Sequence, residues 1–148
     1  MRPLALWLAW RLAHLVLMHL VGGPPGRSWD DGYYRTILRQ GYRPFEPYGV
    51  WQQTNFFPLL PWVTRVVQAV VRSETVAIHT VLTVAQIAAV LLLYEHARRL
   101  RDERVALTAV AILLVAPPSV FLWLFFSEGL FLALSMAAML CAARGRHG

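Results

Sequence analysis

The sequence contains no lysine and a single cysteine, and only 15% of its 148 residues are charged. A soluble domain carries about a quarter charged residues, so the deficit argues against an ordinary soluble fold. Cys141 sits inside an apolar stretch, which excludes a disulfide framework and a thiolate metal site. No His, Asp and Glu cluster has metal-ligand spacing. Internal repeats and low-complexity tracts are absent as well. The net charge of +6 comes from arginine alone. These arginines stand at the ends of apolar runs, as topology signals do, and are not gathered on a polar domain. No nucleic-acid partner is expected.

What the chain has is apolar length. Hydrophobic residues make up 57% of it, and the mean hydropathy is +0.48. About 20 residues at ~1.5 Å rise cross a ~30 Å hydrocarbon core. Four runs approach that length: residues 3–23, 74–97, 105–122 and 127–143. A cleaved signal peptide is the competing reading of the first run. Arg11, His14 and His19 interrupt it, however, and no small-x-small cleavage site stands out, so an uncleaved helix is preferred. Pro117 and Pro118 interrupt the third run. The residue before a proline avoids helical dihedrals, so a kink or helix end is expected near Ala116.

Orientation follows from residues 98–104, which hold Arg98, Arg99, Arg101 and Arg104 and are assigned to the cytoplasm by the positive-inside rule. The second span then enters from outside, the third goes out, and the fourth returns to end at Arg144 and Arg146 inside. The N-terminus is expected in the cytoplasm, and residues 24–73 form a large extracytoplasmic segment. Within it, residues 29–40 and 57–71 have helical periodicity. They are expected to lie in the membrane interface, where aromatic residues favour headgroup depth. The fold expected is an all-α polytopic membrane protein: one membrane domain, 1–148, with about four transmembrane helices and an external interfacial helical loop.

The stretch Ser28-Trp29-Asp30-Asp31-Gly32-Tyr33-Tyr34 is richest in candidate chemistry. Ser28 followed by Asp31 resembles a capping box. Asp31, Arg35 and Arg39 stand one turn apart and form an i, i+4 ladder, which gives Asp31 a structural role. Asp30 instead lines up with Tyr34, Ile37 and Gly41 on the apolar side of the helix. A carboxylate there costs several kcal/mol unless it is paired or solvated by a site. The bland alternative is that Asp30 complements the helix dipole at the first turn.

Three other features qualify. Arg11 lies too deep in the first span for a purely interfacial position, and is read either as buried against other helices, near a phosphate, or as snorkelling. His14, one turn on, is read as a packed histidine rather than a ligand. Ser127-Glu128 opens the fourth span, where such a pair is ordinary capping chemistry, but Glu128 emerges on the same membrane face as Asp30. Arg43 and Arg65 are external as well, suited to lipid headgroups or phosphate.

Trp29-Asp30, Tyr34, Ile37, Gly41-Tyr42, then Phe56-Phe57-Pro58-Leu59-Leu60-Pro61 and Arg65 resemble the start of a known family. It comprises the membrane mannosyltransferases that add the second mannose of glycosylphosphatidylinositol anchors, with their bacterial relatives. Pro118-Ser119 and Phe126-Ser127-Glu128-Gly129-Leu130-Phe131 resemble that family's later Pro-Ala-Ser and Tyr-Ser-Glu-Ser-Leu-Phe stretch. Tyr33, Leu38, Leu60 and Gly129 depart from its commonest residues. The family has many more spans than four, so the resemblance implies an N-terminal portion, a truncated product or one part of a split enzyme, inactive as this chain alone.

The resemblance implies a multi-pass glycosyltransferase of the polyprenyl-phosphate-sugar-dependent GT-C type, in a bacterial plasma membrane. Its donor would be polyprenyl-phosphate-mannose, its acceptor a glycolipid or glycoprotein, and membrane lipid its surroundings. Asp30 carries over as the catalytic base. Glu128, Arg65, Arg11 and Tyr34 stand as substrate-binding candidates, Arg65 for a headgroup or phosphate. A non-catalytic membrane scaffold or partner subunit derived from the same family is the alternative. A transporter or channel has only Arg11 and its neighbouring histidines to line a path.

Overall fold

The computed structural model describes residues 2–20, 30–42 and 55–145. The proposed Ser28 cap, Trp29, Arg43, Arg146, the last turn of the first span at 21–23 and the aromatic stretch 43–48 lie outside the described residues. All regular structure among the described residues is helical: α1 Arg2–Leu20, α2 Asp30–Gln40, α3 Leu59–Val71, α4 Glu74–Leu100, α5 Glu103–Val115, α6 Val120–Trp123 and α7 Glu128–Gly145. The chain is an all-α membrane protein.

The boundaries of α3, α4 and α5 have local causes. Arg72 takes a left-handed conformation, φ 55°, and its N–H closes α3 on the Gln68 carbonyl. Ser73 then accepts from the Val76 N–H and opens α4, and Asp102 does the same for α5 through Val105. These side-chain acceptors satisfy amides that lack an intrahelical partner. Ahead of Pro117, Ala116 is forced to extended dihedrals of φ −62° and ψ 142°, as pre-proline sterics require. A 3-10 turn, Pro117–Ser119, leads into α6, and the two halves of this apolar segment meet at a bend of 73°.

Helix α4 is central, packing against α1, α3, α5 and α7. Its buried Ala77, Val81, Ala85 and Ala89 recur every fourth residue and so share one face. Such a small-residue face lets a neighbouring backbone approach. Gly129 of α7 comes so near that an added Cβ there would stand 3.8 Å from that of Ala85. By length and composition α1 and α4 can each cross a membrane, and the bent α5–α6 pair counts as a third crossing if taken as one. Helix α7 has 18 residues; at ~1.5 Å each it reaches about 27 Å, just under a ~30 Å core.

Two contacts sort the ends of the bundle. Arg2 pairs with Glu103 at 3.1 Å, which brings the start of α1 to the arginine-rich loop between α4 and α5. At the other end Arg35 of α2 reaches Glu74, the first residue of α4, at 3.4 Å. Helices α2 and α3 cap that second end. Helix α3 buries Leu60 and Thr64 but leaves Trp62, Val66 and Val70 exposed at 55%, 69% and 78%, an apolar stripe that no other described helix covers.

Candidate functional site

The site lies where α2, α3 and the start of α7 converge. Tyr34 and Ile37 are buried, as their helical column predicts, together with Leu38, Leu60, Ile78, Leu82, Phe125 and Phe126. Asp30 departs from the expectation that it faces an apolar surface. It heads the same column but is exposed, because the column begins to pack only at Tyr34, a turn further on. Its carboxylate therefore carries no burial cost.

Tyr34 joins the two acidic positions. Its hydroxyl donates to Ser127 Oγ at 3.0 Å, and its ring packs edge-on against Phe56 and Phe125 at centroid distances of 5.3 and 6.0 Å. Asp30 stands one turn before it, and Glu128 follows Ser127 directly. Burial pushes the Tyr34 phenol above its ordinary pKa; the Ser127 hydrogen bond opposes this, and the negative charges of Glu128 and Asp30 add to it. The phenol is thus held as a neutral donor.

Beside this junction, Phe57, Leu59, Leu60, Ser127, Glu128, Leu130, Phe131 and Leu134 line a groove of about 470 Å³. Ser127 and Glu128 stand at its polar mouth. Leu130, Phe131 and Leu134 follow at helical spacing along α7, so its apolar wall runs down the helix.

The cations have other partners. Arg65 donates from Nε to the Leu38 carbonyl at 3.1 Å, and from one terminal nitrogen to the Ile37 and Leu38 carbonyls at 3.1 and 2.6 Å. Those are end-of-helix acceptors of α2, so Arg65 fixes α2 to α3. Arg35 pairs with Asp31 at 2.7 Å, the first rung of the expected ladder. The second rung is replaced: Arg39 forks onto Glu74 through two 2.7 Å hydrogen bonds.

Arg11 is packed between helices. Its guanidinium lies 3.8 Å from the Trp123 ring centroid and reaches Gln86 Oε1 at 3.5 Å. Trp7 Nε1 donates to the same oxygen at 3.3 Å, while Gln86 Nε2 donates to the Leu122 carbonyl. His14 stacks on Trp123 and packs against the tilted ring of Trp10, a packed histidine. Structure thus brings Asp30, Tyr34, Ser127 and Glu128 together, sets Arg65 behind α2, and leaves Arg11 with the break between α5 and α6. Gln86 was not singled out from sequence; its signal was a lone amide inside a long apolar span.

A family model described as dolichyl-phosphate-mannose-protein mannosyltransferase matches residues 54–146, more than half of the chain. The matched segment contains Arg65, Ser127 and Glu128, whereas Asp30 and Tyr34 precede it. No curated protein and no solved structure matches the chain.

Proposed function

The chain belongs to the dolichyl-phosphate-mannose-protein mannosyltransferase family, and we propose that it supplies the base and part of the donor site for transfer of mannose, with inversion, from a polyprenyl-phosphate carrier to a hydroxyl on a lipid- or protein-linked acceptor. The observation that carries this reading is the Tyr34–Ser127 bond. It ties the helix that begins with Asp30 to the helix that begins with Glu128, beside a groove with a polar mouth and an apolar wall.

The chemistry asks little more of the protein. The acceptor oxygen forms a bond to the anomeric carbon as its proton passes to Asp30, acting as general base. The bond from that carbon to the phosphate oxygen breaks, and the electron pair leaves with the polyprenyl phosphate. A phosphate is a stable leaving group and needs no acid. Glycosidases, whose leaving group is an alcohol, need a second carboxyl for that purpose. Glu128 is read as the acceptor-binding carboxylate, and Arg65 as the residue that holds α2 in register with α3. The prenyl tail is assigned to the wall formed by Leu130, Phe131 and Leu134.

The finer kinship, with enzymes that add the second mannose of glycosylphosphatidylinositol anchors and their bacterial relatives, rests on the ordered motifs from Trp29-Asp30 to Ser127-Glu128 and is part of the proposal. So is the orientation, with the start of α1 in the cytoplasm and the site on the outer face; the arginines between α4 and α5 support it. Replacing Asp30 with Asn tests the assignment: mannosyl transfer is lost while membrane insertion is kept.

A further inference from the structure

The Ser127 hydroxyl has one proton to give and, among the described residues, nowhere in the protein to place it. Its oxygen accepts from Tyr34 at 3.0 Å. Tyr34 is 6% exposed, and of the two hydroxyls the phenol is the stronger acid and the better donor, so Tyr34 donates and Ser127 accepts. A hydroxyl that accepts along one lone pair keeps its own O–H for another partner. Ser127 is half-buried and lines the mouth of the groove beside Glu128. The hydroxyl can therefore turn its proton toward an acceptor that fills that mouth. A donor whose oxygen already accepts a hydrogen bond is itself polarised and strengthened.

We infer that Ser127, oriented by Tyr34, is a ligand-binding hydrogen-bond donor to an oxygen on the headgroup of the lipid whose tail occupies the groove. The inference rests on the donor assignment above and deepens it by naming a recognition contact. The neighbouring Glu128, when ionised, only accepts hydrogen bonds. Ser127 thus gives the mouth a donor next to an acceptor: the donor suits a phosphate or sugar oxygen, and the acceptor suits a sugar hydroxyl. Leu130, Phe131 and Leu134 offer nothing polar and confer no headgroup selectivity.

The test is equilibrium binding of three lipids of equal chain length to the full chain in nanodiscs: a polyprenol, its phosphate, and its phosphomannose. Ser127→Ala is expected to weaken binding of the phosphate by about tenfold, the scale of a hydrogen bond to a charged group. It should leave the polyprenol unchanged, which also reports an intact groove. Ser127→Thr, which keeps the hydroxyl, restores affinity, and Tyr34→Phe gives a smaller loss than Ser127→Ala. A loss seen with the phosphomannose alone supports the contact and moves it to a sugar oxygen. Wild-type affinity of Ser127→Ala for both phosphate lipids overturns the inference and leaves the donor reading standing. An equal loss for all three lipids overturns it too, since Ser127 then only shapes the groove. If the wild-type chain binds none of them, the groove assignment fails together with the inference.

Discussion

Tyr34 and Ser127, 93 positions apart, meet through a 3.0 Å hydrogen bond that fastens α2 to the turn between α6 and α7. Tyr34→Phe keeps the ring contacts with Phe56 and Phe125 and removes only the hydroxyl. A net contribution of about 1 kcal/mol is expected from such a bond. Chemical denaturation in detergent should show a loss of that size. An unchanged midpoint and slope would show that the bond does not fasten the two elements.

Burial of the same tyrosine gives the fold an alkaline limit. Burial raises the folded-state pKa of Tyr34 above its ordinary value of 10.0, so the folded state holds the phenolic proton more tightly than the unfolded chain. The resulting stabilisation is complete below about pH 10 and is lost as pH rises from there through the raised folded value. Stability measured from neutral to strongly alkaline pH should fall in that window, and less steeply for Tyr34→Phe. Identical profiles for the two proteins would contradict this.

Gln86 is buried at 1% exposure and serves three partners at the broken span, Trp7, Arg11 and the Leu122 carbonyl. Gln86→Leu fills much of the same volume but leaves all three without that partner. Unsatisfied buried polar groups cost about 1–3 kcal/mol each. The variant is therefore expected to lose more stability than Tyr34→Phe in the same assay. A smaller loss would mean that the Gln86 contacts do not hold the bend of 73°.

Sidedness separates the two ends of the bundle. Gln40 and Arg101 are both exposed, one in α2 and one in the arginine-rich loop. With Cys141 replaced, Gln40→Cys should react with a membrane-impermeant maleimide on intact cells, and Arg101→Cys only after permeabilisation. The reverse pattern would invert the orientation derived from the arginines.

Much of this architecture was legible in the sequence because it depends on local rules. The apolar runs, the break before Pro117 and the Asp31–Arg35 rung follow from periodicity, pre-proline sterics and i, i+4 spacing. The site was legible only by residue type. Asp30 could be placed on a helical column, but nothing local says that the column starts to pack at Tyr34. Ser127 read as a cap, and its link to Tyr34 requires α2 to be laid over α7. Glu74 read as the first residue of a span, yet it anchors both Arg35 and Arg39. Arg65 read as a headgroup contact because the carbonyl ends of α2 are invisible until α3 is packed beneath them. In each case the deciding partner lies far away in the chain.

The central claim is that Asp30 takes the proton from the acceptor hydroxyl. The most direct measurement is mannosyl transfer from polyprenyl-phosphate-mannose to endogenous acceptors, in membranes containing the protein with Asp30 or with Asp30→Asn at equal insertion. Loss of a general base lowers transfer by about 10²–10⁴-fold, and the account predicts a fall in that range. Full transfer by Asp30→Asn would contradict it and favour a non-catalytic membrane subunit.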